Sequence, residues 1–276
     1  MPRLPGGSGL PASGFALISA FAFAAPASAP EASFASPAVR AAASGARLLA
    51  AGPPRRGESY RGGVEIDLDP GIVTYWRAPG EAGAPPNFDF SGSINVAHVE
   101  TGYPAPKRIE EAGVFVAGYD SKVVFPLRVT PRDPKAPVTL KLTLNYSACG
   151  KVCLPARADL SLPLPRAGNS PFDPDIAAAE SRVPRKVPAS QASRLFGLEK
   201  TGTEAAWRLT WRGKGDVRAV FAEVPDPLFI EATPEPDAGG FALKLYVPGG
   251  KRPVRVDGAL TIVTGDGAIE APATFR

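Results

Sequence analysis

In residues 138–147 every even position is apolar (Val138, Leu140, Leu142, Leu144, Tyr146) and every odd position is polar (Thr139, Lys141, Thr143, Asn145, Ser147). A period of two suits a strand with one face on a core and the other in water, and no helix can present it. Ala158, Leu160, Leu162 and Leu164 repeat the pattern. Two such strands, close in sequence, are expected to pair, and a buried face of leucines demands a second layer to cover it. The 32 prolines and 29 glycines, with one Met and one His, argue against long helices and favour short strands joined by turns. The chain is expected to be all-β, with enough apolar content, 44%, for a core in each of two domains.

Other strand-like segments flank this pair. Residues 63–68 alternate, residues 72–76 are β-branched and aromatic, and residues 94–100 and 122–129 follow, with a loop expected at 79–86. Beyond residue 190, segments at 206–211, 217–224, 228–230, 241–247 and 259–263 recur with turn signals between them, the spacing of a second small β-sandwich. Between and before these blocks, Ala, Pro, Ser, Gly and charged residues dominate. Residues 30–56 are read as a disordered or partly helical tether, with 39–51 as the candidate helix. Residues 167–190 are read as a linker that holds a helical turn or two at 175–181. The resulting division is 1–29, 30–56, 57–166, 167–190 and 191–276.

The first segment has the layout of a secretory signal peptide: Arg3, an apolar run from Gly14 to Ala24, then the small residues Ala25, Pro26, Ala27, Ser28 and Ala29. The run is shorter than the roughly 20 residues that a permanent span needs. Cleavage after Ala29 or near Ala24 both fit, and no cysteine lies nearby to take a lipid. The mature chain is expected to be soluble in an exported, oxidising space. The net charge of +4 gathers in small clusters at Arg55, Arg56, Arg61 and at Arg182, Arg185, Lys186. Neither cluster is interleaved with aromatics, so solvated charge is expected, with no nucleic-acid partner.

The two cysteines, Cys149 and Cys153, stand between the alternating strands. On one straight strand they would lie about 13 Å apart, whereas a disulfide needs Cα atoms roughly 4.4 to 6.8 Å apart. The pair can close only if the chain reverses between them, and Gly150 is available for an unusual backbone angle there. A bridge over so short a loop contributes about 2 kcal/mol in the chain-entropy model, against roughly 4.7 kcal/mol over a hundred residues. Spacing alone leaves a structural staple and a redox-active pair both open. Two thiolates and the distant His98 do not supply a tetrahedral shell, so neither a metal nor a cofactor is expected.

The segments Thr74-Tyr75-Trp76-Arg77-Ala78-Pro79-Gly80-Glu81-Ala82-Gly83-Ala84-Pro85-Pro86, Asp89-Phe90-Ser91-Gly92-Ser93, Tyr103-Pro104-Ala105-Pro106 and Val123-Val124-Phe125-Pro126-Leu127, in that order and followed by the cysteine turn, resemble the N-terminal periplasmic domain of the DsbD thiol:disulfide interchange family and its ScsB relatives. The resemblance implies an immunoglobulin-like sandwich, and the chain as a whole is expected to form two of them in tandem after the signal peptide. It implies periplasmic thiol–disulfide exchange, with Cys153 as the attacking thiol and Cys149 as the resolving one. Lys151 and Arg157 are candidates to favour the thiolate. An aromatic cap over the pair is also implied, with Phe115 as its candidate, while Tyr75 and Trp76 read as packing residues and His98 as a surface or edge residue. The implied partners are a membrane thiol transporter of CcdA or DsbD type, or a thioredoxin-like donor, and oxidised periplasmic thioredoxin-fold proteins as recipients. Two departures stand out. Familiar members space their cysteines more widely, and they continue into a multi-helix membrane domain and a thioredoxin-like domain that this sequence does not show, so a separate donor is expected. The competing readings are a non-catalytic β-sandwich adaptor or chaperone with a structural disulfide, and a copper-handling protein, for which one Met and one His are a poor donor set.

Overall fold

The computed structural model describes residues 33–55, 57–111, 113–202, 205–235, 240–249 and 253–276. The signal peptide expected at 1–29 lies outside the described residues. The first half of the chain forms β1 (Val39–Ala41), β2 (Ser44–Ala50), β3 (Tyr60–Leu68), β4 (Thr74–Gly80), β5 (Asn87–Asp89), β6 (Val96–Thr101), β7 (Lys107–Glu111), β8 (Val114–Tyr119), β9 (Val123–Pro131), β10 (Thr139–Cys149) and β11 (Cys153–Pro163). These make a five-stranded sheet in the order β1-β2-β3-β9-β6 and two three-stranded sheets, β11-β10-β5 and β4-β8-β7. Among the described residues, no helix is long and apolar enough to cross a membrane.

The alternating segments form the long hairpin that their pattern predicts. β10 and β11 pair antiparallel with Leu140 opposite Leu162, Leu142 opposite Leu160 and Leu144 opposite Ala158. Their even-numbered side chains from 140 to 148 and from 156 to 162 are buried, and most of them meet Leu48, Val64, Ile66, Phe125 and Leu127 of the five-stranded sheet in one core. Face-to-face packing of two sheets with alternating inward residues is the sandwich arrangement of the immunoglobulin-like folds.

The expected tether and its helix are replaced by strands. β2 pairs with β3 from Ser44 opposite Leu68 to Ala50 opposite Gly62. It shows no alternation because it is covered on both faces: Leu48 points into the main core, and Leu49 packs with Val124, Ile176 and Ala179 on the other side. Ile176 and Ala179 belong to α1 (Asp173–Arg182), which occupies part of the expected linker and docks on the outer face of the sheet. Arg61 on β3 holds the helix through Asp173 and Glu180, each at 2.7 Å, so this arginine of the basic cluster is neutralised within the fold.

After β12 (Arg185–Lys186) and α2 (Ala189–Leu195), the second sandwich consists of β13 (Phe196–Lys200), β14 (Ala206–Trp211), β15 (Val217–Glu223), β16 (Phe229–Glu235), β17 (Gly240–Tyr246), β18 (Val256–Thr264) and β19 (Gly267–Phe275). One sheet runs β12-β19-β18-β15 and the other β13-β14-β17-β16. Leu209, Leu243, Leu260, Ile262 and Phe275 centre their common core. The chain is thus all-β with two immunoglobulin-like sandwiches.

Candidate functional site

The cysteines close the tip of the first hairpin. Cys149 is directly opposite Cys153 as the last cross-strand pair, their Cα atoms are 4.0 Å apart, and they are joined as a disulfide. Gly150, Lys151 and Val152 make the reversal between them. Gly150 is not among the residues with positive φ, contrary to the expectation of an unusual angle. Its lack of a side chain supplies room instead, since a Cβ there would come within 2.9 Å of the Ile72 side chain.

Parity decides which face the sulfurs occupy. Core residues of the hairpin are even-numbered and the cysteines are odd-numbered, so the pair leaves the main core and projects from the opposite face. There it meets the β4-β8-β7 sheet. Val73 exchanges two backbone hydrogen bonds with Cys149, at 2.8 and 2.9 Å, and Tyr75, Val116 and Cys149 form a separate small cluster with Ile109 and Val114 around it. Cys149 is 1% exposed, whereas Cys153 is exposed. Val152 and Leu154, 68% and 46% exposed, flank the outer sulfur. The two sulfurs therefore differ in access: an incoming thiolate can reach Cys153, and Cys149 is left as the inner partner.

Two side chains from the covering sheet touch the outer sulfur. Sγ of Cys153 lies 3.5 Å from Oε1 of Glu111 and 3.5 Å from the Tyr75 hydroxyl. The Tyr75 O–H donates to Oε2 of Glu111 at 2.7 Å. Burial, the hydrogen bond to Glu111 and the carboxylate charge together hold the Tyr75 phenol well above its ordinary pKa, so it remains a donor. The loop after β4 seats the tyrosine ring: Gly83 has φ +95°, and a Cβ there would run into the ring. The charged group in contact with Cys153 is thus an acid, not a base. Lys151 is exposed at the tip, and Arg157 is engaged by Asp159 at 3.0 Å. A carboxylate this close opposes formation of a thiolate on Cys153.

The placement of the other expected residues follows from the same pleat. Trp76 lies in the main core, whereas Tyr75, read from sequence as packing, turns to the disulfide. Phe115 is not brought to the sulfurs. Val114 and Val116 pair with Glu111 and Ile109 on the face toward the cysteines, so Phe115 between them turns to the other face, under the guanidinium of Arg108. His98 is exposed on β6, the edge strand of the five-stranded sheet. Glu111 was within reach of sequence reasoning only through its strand parity. The acid pair Glu110 and Glu111 is visible, but which of them faces the pair depends on the β7–β8 register. Glu111, Cys149 and Cys153 place one carboxylate oxygen and two sulfurs within 4.8 Å of one another.

Comparison with known proteins agrees with this geometry. The family model described as the N-terminal domain of the thiol:disulfide interchange protein DsbD matches residues 46–165, which include the hairpin and both cysteines. The crystal structure of the N-terminal periplasmic domain of ScsB from Proteus mirabilis shares the fold, with a TM-score of 0.66 at 20% identity, covering 88% of this chain and 98% of that one. No curated protein matches the chain. Residues 46–165 form a DsbD-like N-terminal domain that carries the Cys149–Cys153 pair.

Proposed function

We propose that the protein relays reducing equivalents in the periplasm, taking them from a membrane thiol transporter of CcdA or DsbD type or a thioredoxin-like donor and passing them to oxidised thioredoxin-fold proteins. A leader at 1–29 would deliver it there. The observation that carries this reading is the asymmetry at the hairpin tip, with an exposed Cys153 sulfur bonded to a buried Cys149.

The exchange runs in two halves. A donor thiolate attacks Sγ of Cys153, forming a mixed disulfide and releasing Cys149 as a thiolate that takes up a proton; the donor's second thiolate then attacks its own mixed disulfide and frees Cys153. The protein has gained two electrons and two protons, and the donor has become a disulfide. In the second half the Cys153 thiolate attacks a partner disulfide, and Cys149 resolves the mixed bond, which restores the Cys149–Cys153 bridge and leaves the partner as a dithiol. Glu111 and Tyr75 restrain Cys153 between encounters, because the carboxylate opposes the thiolate and the phenol hydroxyl rests against the sulfur. Val152 and Leu154 supply an apolar rim for a partner.

Replacing Cys149 with Ala tests this directly. In periplasmic extract the variant is expected to accumulate mixed disulfides through Cys153 with proteins of thioredoxin fold, identified by diagonal electrophoresis and mass. A variant that captures none would remove the support for exchange.

A further inference from the structure

The β4-β8-β7 sheet has two working faces. One carries Tyr75, Glu111, Val114 and Val116 against the disulfide. From the same sheet Trp76, Arg77, Arg108 and Phe115 face the second sandwich. Arg77 lies two residues from Tyr75 along β4, where the strand's pairing with β8 is interrupted between Tyr75 and Gly80. Its Nε donates to Glu223 of β15 at 2.6 Å, and its Nη2 donates to Glu270 of β19. The guanidinium lies over the rings of Trp76 at 4.5 Å and Tyr103 at 5.6 Å. Trp76 in turn packs against Phe221 of β15, with ring centroids 5.9 Å apart. At the far edge, Arg108 of β7 reaches Glu231 of β16 at 3.6 Å while it covers the Phe115 ring. The seam where Phe115, Phe221 and Ile230 meet leaves a cavity of only about 50 Å³, room for a water or two and no ligand.

We propose that the C-terminal sandwich positions the cover of the disulfide, and that Arg77 is the positioning residue through which it does so. This rests on the redox reading above. Arg77 is a half-buried cation shared by two carboxylates from two strands of the other sandwich. Removing it leaves those two carboxylates of the second sandwich without the cation that ties them across the seam to β4, and an uncompensated charge there is costly. The seam then opens, β4 loses its anchor, and Tyr75 withdraws from Cys153. The second sandwich is on this account a part of the site and not a spacer.

The test is the rate at which dithiothreitol reduces the Cys149–Cys153 bridge in the full chain, followed by thiol alkylation. Loss of an anchor worth about 1.4 kcal/mol of local opening corresponds to a tenfold change. Arg77→Ala is therefore expected to react about tenfold faster than the parent, and Arg77→Lys, which keeps the charge but loses the planar fork and the stack on Trp76, to fall between the two. The Glu223→Gln, Glu270→Gln double variant is expected to accelerate reduction in the same direction, and it decides the matter if Arg77→Ala does not fold. Folded Arg77→Ala and Glu223→Gln, Glu270→Gln variants that react at the parental rate overturn the proposal. Dithiothreitol needs no biological partner. A chain that never exchanges with thioredoxin-fold proteins would therefore sink the proposed relay while leaving this comparison legible.

Discussion

Each sandwich contains one long hairpin, and the two close differently. β18 and β19 run from Val256 opposite Phe275 to Thr264 opposite Gly267, turning through Gly265 and Asp266, with the Thr264 hydroxyl donating to the Gly267 carbonyl at 3.2 Å. β10 and β11 are longer, from Thr139 opposite Pro163 to Cys149 opposite Cys153, and they spend their tip on a disulfide. Both bury one face in a leucine-rich core. The second hairpin stands without a covalent bridge, so a bridge is not what a hairpin of this kind requires. The first carries its sulfurs on the face away from its main core, under a separate sheet that supplies a carboxylate and a phenol. The difference points to chemistry at the tip more than to reinforcement.

Four changes would break or sharpen that contrast. The largest effect belongs to Cys153→Ser, which is expected to lower the rate of disulfide exchange with a thioredoxin-fold substrate by at least about 10³-fold, because the sulfur proposed to attack is gone. A residual rate near the parental value would place the chemistry elsewhere. Next, Leu144→Ala and Leu260→Ala, both fully buried, should each cost about 2–5 kcal/mol in urea unfolding, so that the two cores prove equally necessary where the two tips do not. Smaller again, the Cys149→Ser, Cys153→Ser double variant should lose only about 2 kcal/mol and keep its sheet signature by circular dichroism. Collapse of the first sandwich in that variant would turn the pair back into a staple. Smallest, Glu111→Gln should accelerate alkylation of reduced Cys153 by iodoacetamide at neutral pH by about tenfold, since a charge that opposes the thiolate is removed. A slower reaction would mean that the carboxylate serves as a base instead.

What the sequence discloses depends on whether a strand has a wet face. β10 and β11 do, so their alternation is unambiguous and the cysteine hairpin can be read directly from it. β2 does not: Leu48 and Leu49 are buried against different layers, and its small residues resemble those of a tether. β19 is hidden for a related reason, because Ala271 and Ala273 mark its buried face weakly and Pro272 breaks the strand signature. The cysteines of the site were legible, but their neighbours were not. Tyr75 and Glu111 reach Cys153 only because β4, β8 and β7 pair in that order, and pairing order is not written in local periodicity. Phe115 illustrates the sensitivity of such readings, since a shift of one residue along β8 separates the face on the disulfide from the face on the second sandwich.

The central claim, that the hairpin tip opens and closes in use, is tested most directly by titrating the Cys149–Cys153 couple against a glutathione redox buffer and quantifying the reduced form by alkylation and mass. A midpoint between about −180 and −300 mV, within the range of thioredoxin-like exchange partners, is the expected result. A midpoint well below about −300 mV, where structural disulfides lie, would contradict it.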